Sequence, residues 1–101
     1  MQLENILSAD GPVLVTFGAE WCAPCQWLEP ILERLRNDLA GRIRIHKIDI
    51  DKEPELSRHW HIRSVPTLIL FRDAQPVWRY QGFDTAEKMK QVILEHLQET
   101  K

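Results

Sequence analysis

The segment AEWCAPCQWLEPILERL, Ala19 to Leu35, carries both cysteines of the chain. Cys22 and Cys25 are three positions apart, with Pro24 between them and Trp21 just before. Upstream, VLVTF (Val13 to Phe17) is a short apolar, β-branched run of the kind that forms a buried strand. Downstream, Leu28, Ile31, Leu32, Leu35 and Leu39 recur at helical spacing, and Gly41 is expected to cap that helix. Pro30 falls inside the pattern and predicts a kink. The pair is therefore expected after a buried strand and at the start of a long helix.

That placement has chemical consequences. A helix start carries unpaired backbone N–H groups and the positive end of the dipole, which favour a thiolate at Cys22. A free thiol titrates near about 8.5, and such a site lowers that by about a unit or more. One turn of helix brings the Cys25 thiol within reach of Cys22. The first cysteine can then attack a disulfide and the second resolve the mixed disulfide. Pro24 fixes the turn between them. A purely structural disulfide is a second reading, but it would close a very small loop and stabilise little. It is also disfavoured in a reducing compartment. Zinc is a third, with His59 and His61 as further ligands. Those histidines are two apart, where zinc motifs use about three to five, and Trp21 and Pro24 would have no role.

Further along, a short helix is predicted from Leu3 to Ala9, ending at DGP. IRIHKIDI (Ile43 to Ile50) alternates as a strand does, and Pro54 can open a short helix through about Trp60. TLILF (Thr67 to Phe71) reads as a second buried strand, DAQP as a turn, and VWRYQ (Val77 to Gln81) as its hairpin partner. Ala86, Met89, Val92, Ile93 and Leu97 mark a closing amphipathic helix. Strands interleaved with helices and followed by a hairpin predict an α/β sandwich with a small mixed sheet.

The 101 residues are read as one domain, 1–101. A net charge of −2 favours neither nucleic acid nor an anionic membrane surface. No apolar run approaches the roughly 20 residues of a membrane span. The first residues, MQLENILSADGP, lack the basic region and long apolar core of a secretory signal, which predicts a cytoplasmic protein. No metal site and no bound cofactor are expected, and no G-x-G-x-x-G nucleotide fingerprint is present.

With strand, WCAPC, proline-containing helix and SVPT in this order, the chain resembles the thioredoxin family, whose signature is W-C-G-P-C; here Ala23 takes the glycine's place. AEW before the first cysteine, Pro30, Lys47 in HKIDID, IRSVPT (Ile62 to Thr67) and Gly82 extend the match across nearly the whole chain. The resemblance implies a thiol–disulfide oxidoreductase with Cys22 as nucleophile and Cys25 as resolving thiol. It implies client proteins with disulfides, electrons from NADPH through a partner thioredoxin reductase, and a monomer. It also implies a cis bond before Pro66, whereas sequence alone predicts trans, since only about 5–6% of X–Pro bonds are cis. A cis bond there points the backbone of Val65 at an extended substrate, which pairs with it as an added strand. The implied rim around Cys22 is Trp21, Ala23, Pro24, Val65, Pro66, Gly82 and Phe83. Gly82 lets a partner backbone come close. Phe83 is bulkier than the small residue usual there, which predicts a more apolar groove.

The chain departs from the family pattern in three places. Thr16 stands where the family carries a buried aspartate beneath the second cysteine. Threonine cannot take the proton from Cys25, so resolution is expected to be slower than in an ordinary member. Lys47, the family partner of that aspartate, is left with Asp49 two residues along, and Glu29, one turn after Cys25, is a candidate substitute base. Gly18 replaces an aromatic residue beside the helix; Trp27 is a candidate to compensate for it, but is read instead as simply core. Finally, Cys22 comes too early for the family's first strand, which predicts four strands with IRIHKIDI as an edge bearing Arg44, His46 and Lys47. Pairing of two copies through that edge is left open. His46, His59, His61 and His96 are read as surface residues and Trp60 as helix packing. Trp78 is left between core and exposed patch. Two other roles stay open: a docking module on the same scaffold, with Thr16 and Gly18 in its favour, and an oxidase or isomerase of an oxidising compartment.

Overall fold

The computed structural model describes residues 3–8 and 11–98. The elements follow in the order α1 (Leu3–Ser8), β1 (Val13–Gly18), α2 (Ala23–Asp38), β2 (Arg44–Asp49), α3 (Pro54–His59), β3 (Thr67–Arg72), β4 (Gln75–Gln81) and α4 (Ala86–Gln98). Ala9, the predicted end of the first helix, lies outside the described residues. Among the described residues there is one four-stranded sheet in the order β2-β1-β3-β4. β1 pairs parallel with β2 and antiparallel with β3, and β3 pairs antiparallel with β4. The predicted edge, β2, is an edge.

The alternation along the two central strands sorts the core into two layers. Leu14, Leu68 and Leu70 face Leu28, Leu32 and Leu35 of α2 and Met89 and Ile93 of α4. Val13, Val15, Phe17, Ile69 and Phe71 face the other way, toward Leu3 of α1, with Leu56 and Trp60 packed against them. β1 and β3 are apolar on both faces because both faces are covered. The two clusters lie on opposite faces of the sheet and make the α/β sandwich expected from the sequence, here in three layers.

Several details differ from the sequence reading. α2 continues as one helix through Pro30, which cannot donate to the carbonyl of Gln26. Its C-cap is Leu39, not Gly41; Gly41 adopts φ 81 two residues later, in the turn toward β2. The turn between β3 and β4 is shorter than DAQP. Only Asp73 and Ala74 lie outside the strands, at φ 55 and 65, and Pro76 lies within β4, where an edge position tolerates it. Trp27 is not core: it is 62% exposed, because α2 buries Leu28, Leu32 and Leu35 and turns its neighbour outward. Trp78 is partly buried and stacks on Tyr80 at 5.7 Å between ring centroids. Trp60 meets Phe71 edge-on, as a packing residue does. His59 and His61 are exposed, whereas His46 and His96 are partly buried, so neither of the latter is a simple surface residue. Burial lowers the pKa of His46 from its usual value, and the nearby Arg44 charge lowers it further.

Candidate functional site

β1 ends at Gly18 and the chain reaches α2 through a short turn closed by the Cys22 N–H donating to the Ala19 carbonyl at 3.2 Å. Cys22 is the N-cap of α2, in extended conformation, and the Cys25 N–H donates to its Sγ at 3.1 Å. The sulfur thus takes the place that a serine or aspartate oxygen takes at other helix starts. Pro24, in the first turn, has no N–H to leave unpaired. Cys22 and Cys25 are joined as a disulfide with their Cα atoms 5.3 Å apart. The molecule is therefore seen in its oxidised form.

The segment before β3 supplies the other wall. The Val65–Pro66 bond is cis, as the family resemblance implied and against the expectation from sequence alone. The Val65 carbonyl oxygen lies 3.7 Å from Cys22 Sγ. Thr67 Oγ1 donates to the Ser64 carbonyl at 2.7 Å, and the Gly82 N–H donates to the Pro66 carbonyl at 2.7 Å. Gly82 has φ 94, a conformation that favours glycine. Of the predicted rim, Trp21 and Ala23 are exposed, Pro24, Val65 and Gly82 are partly exposed, and Pro66 is buried. Phe83 is partly buried against the α2–α4 core cluster.

Trp21 is 68% exposed, yet its indole is held: Nε1 donates to Asp51 Oδ2 at 2.8 Å. The Asp51 N–H in turn donates to Asp49 Oδ1 at 2.8 Å. Sequence reasoning missed Asp51. It sits in a polar turn after β2, and only the strand order brings that turn beside the cysteine loop.

On the inner side of the pair, a cavity of about 320 Å³ opens beside Cys25. Thr16, Gly18, Lys47, Asp49 and Glu29 are among its lining residues. Thr16 and Gly18 face α2, on the same side of the sheet as Leu14, and pair in register with Lys47 and Asp49. Gly18 lies against the second cysteine: a Cβ added there would lie 3.2 Å from Cys25 Sγ. The second cysteine is the less covered one, partly exposed where Cys22 is only 4% exposed. Lys47 Nζ pairs with Glu29 Oε2 at 2.8 Å, so its partner is Glu29, across the cavity. No group of three or more His, Cys, Asp or Glu side chains among the described residues is arranged to hold a metal ion. No described helix is long and apolar enough to cross a membrane.

A closely spaced cysteine pair that closes on itself at a helix start, beside an accessible backbone carbonyl, can exchange its disulfide with another: the class is the thiol–disulfide oxidoreductases. The sequence model of one such group, thioredoxin, matches residues 2–95. The chain belongs to the thioredoxin family. A thioredoxin of Staphylococcus saprophyticus is 42% identical over 94 residues, covering 93% of this chain and 88% of that protein. A thioredoxin of Mycobacterium tuberculosis is 45% identical over 78 residues, covering 77% and 67%. Among solved structures, a mutant thioredoxin from Halobacterium salinarum superposes with a TM-score of 0.87 at 33% identity, covering 98% of this chain and 86% of that one. Family and cysteine pair together make the chain a protein-disulfide reductase.

Proposed function

We propose that the chain works as one domain that reduces client-protein disulfides, with Cys22 as the attacking thiolate and Cys25 as the resolving thiol. The observation that carries this assignment is the capping geometry: Cys22 Sγ already accepts the Cys25 N–H at the positive end of α2. A thiolate in that position is stabilised by the same N–H and by the helix dipole. Trp21, Ala23, Pro24, Val65, Pro66, Gly82 and Phe83 form the apolar surface that receives the client. An extended client segment pairs with the Val65 backbone, a role supported by the nearness of its carbonyl to Cys22.

Electrons arrive from NADPH through a flavin-dependent thioredoxin reductase, and the protein works as a monomer in the cytoplasm; these follow from family analogy. The reading is tested by disulfide reduction of insulin, first with dithiothreitol and then with a thioredoxin reductase and NADPH. Cys22→Ser is expected to abolish turnover, and Cys25→Ser to accumulate a covalent mixed disulfide with the client. An intact pair with no turnover on insulin would instead favour a docking role or a dedicated partner.

A further inference from the structure

Resolution needs Cys25 as a thiolate. A thiol of ordinary pKa, near about 8.5, is only about 3% ionised at pH 7, so something must take its proton for this step to be fast. Thr16, the residue of β1 beneath the pair, has no group that can do so near neutral pH. The cavity beside Cys25 does contain carboxylates. From the loop before α2, Glu20 is directed outward, its side chain 84% exposed and 3.8 Å from Lys52. From β2, Asp49 holds the turn that carries Asp51. From α2 itself comes Glu29, four residues after Cys25 and therefore on the same face of the helix. Glu29 and Cys25 both line the cavity. Lys47, the fourth charged residue lining the cavity, holds Glu29 there at 2.8 Å.

We infer that Glu29, held across the cavity by Lys47, takes the proton of the Cys25 thiol through water in that cavity when the mixed disulfide is resolved. The inference rests on the proposed roles of Cys22 and Cys25. A water needs on the order of 15 Å³ and polar partners; a cavity of about 320 Å³ lined by Thr16, Glu29, Lys47 and Asp49 offers both. In the step, the Cys25 proton passes to Glu29. The thiolate forms the Cys25–Cys22 bond as the bond from Cys22 to the client sulfur breaks. The bonding pair leaves on the client sulfur, which is protonated from solvent. The client disulfide has then gained two electrons and the cysteine pair has lost them. Glu29, its side chain 51% exposed, returns its proton to bulk water.

The test uses the reduced protein and dithiobis(nitrobenzoate) in a stopped-flow instrument. Attack by Cys22 releases one thionitrobenzoate, and resolution by Cys25 releases the second. Glu29→Gln is expected to leave the first phase unchanged and to slow the second about a hundredfold at pH 7, the low end of what a positioned base contributes. Below the thiol range, the variant's second phase should fall about tenfold per pH unit, while that of the parent protein falls less steeply. Lys47→Gln should give an intermediate rate, and Thr16→Asp added to Glu29→Gln should restore the second phase. The Glu29–Lys47 pair is half-exposed and worth at most about 1 kcal/mol, so these variants fold. A second phase within about twofold of the parent between about pH 6 and 9, or no rescue by Thr16→Asp, overturns the relay. A first phase that survives Cys22→Ser refutes the assignment of Cys22 itself, and the relay falls with it.

Discussion

Gly18 is the smallest change in the site and shapes much of it. With no side chain there, Gly18 leaves room for the Cys25 sulfur itself, and with Thr16 it lines the cavity beside Cys25. Gly18 does not adopt a positive φ, so alanine is tolerated by the backbone, but its Cβ would lie 3.2 Å from Cys25 Sγ. Gly18→Ala gains roughly 0.4–1 kcal/mol from the unfolded chain. Crowding the sulfur costs roughly 1–3 kcal/mol while the disulfide fixes it. The oxidised protein should therefore lose about 1 kcal/mol, and the reduced protein less, since its sulfur can move aside. Thermal unfolding of both redox forms checks this; an equal shift in both would show that the sulfur is not what the new methyl meets. Thr16 and Gly18 could each be read in the sequence as departures from the family pattern. Their joint product could not, because a cavity is a property of what surrounds two residues. Trp27 shows the reverse failure: a large aromatic in a helix reads as core until the helix phase turns it outward.

At the scale of elements, spacing carried most of the reading. Long apolar periodicity defined α2 and α4, and short β-branched runs defined β1 and β3. The hairpin was less legible, because Pro76 reads as part of a turn and only the edge position of β4 explains its place in a strand. That hairpin closes on Asp73 and Ala74, both at positive φ, the pattern of a two-residue type I′ turn. Alanine is ill suited to it, since a left-handed residue with a Cβ costs roughly 1–2 kcal/mol. Ala74→Gly should stabilise the protein by about 0.5–1 kcal/mol, after the added freedom of glycine in the unfolded chain is subtracted. Denaturant titration should show a higher midpoint with an unchanged slope. A lower midpoint would mean that the turn is not formed this way.

Across the whole molecule, β1 and β3 are each paired on both sides and covered on both faces, while β2 and β4 are edges. Amide exchange should accordingly be slowest in Val13–Gly18 and Thr67–Arg72, approaching the free energy of global unfolding, and faster in β4, most of which is exposed. Comparable protection in β4 would contradict this ordering. The four-stranded sheet of the described residues agrees with the count read from the sequence. The contact of Trp21 with Asp51 could not be read there, for it depends on β2 lying beside β1.

Because β1 and β3 run antiparallel, with Phe17 opposite Thr67, the exit of one and the entrance of the other meet at the same end of the sheet. The cysteine loop hangs from the first and the Val65–Pro66 bond precedes the second. The two jaws of the site are thus bolted to the strands that let go last. The outer strand β4 can loosen without the jaws losing their alignment. A protein whose work is to exchange disulfides thus sets its reacting parts on the strands that are covered on both faces.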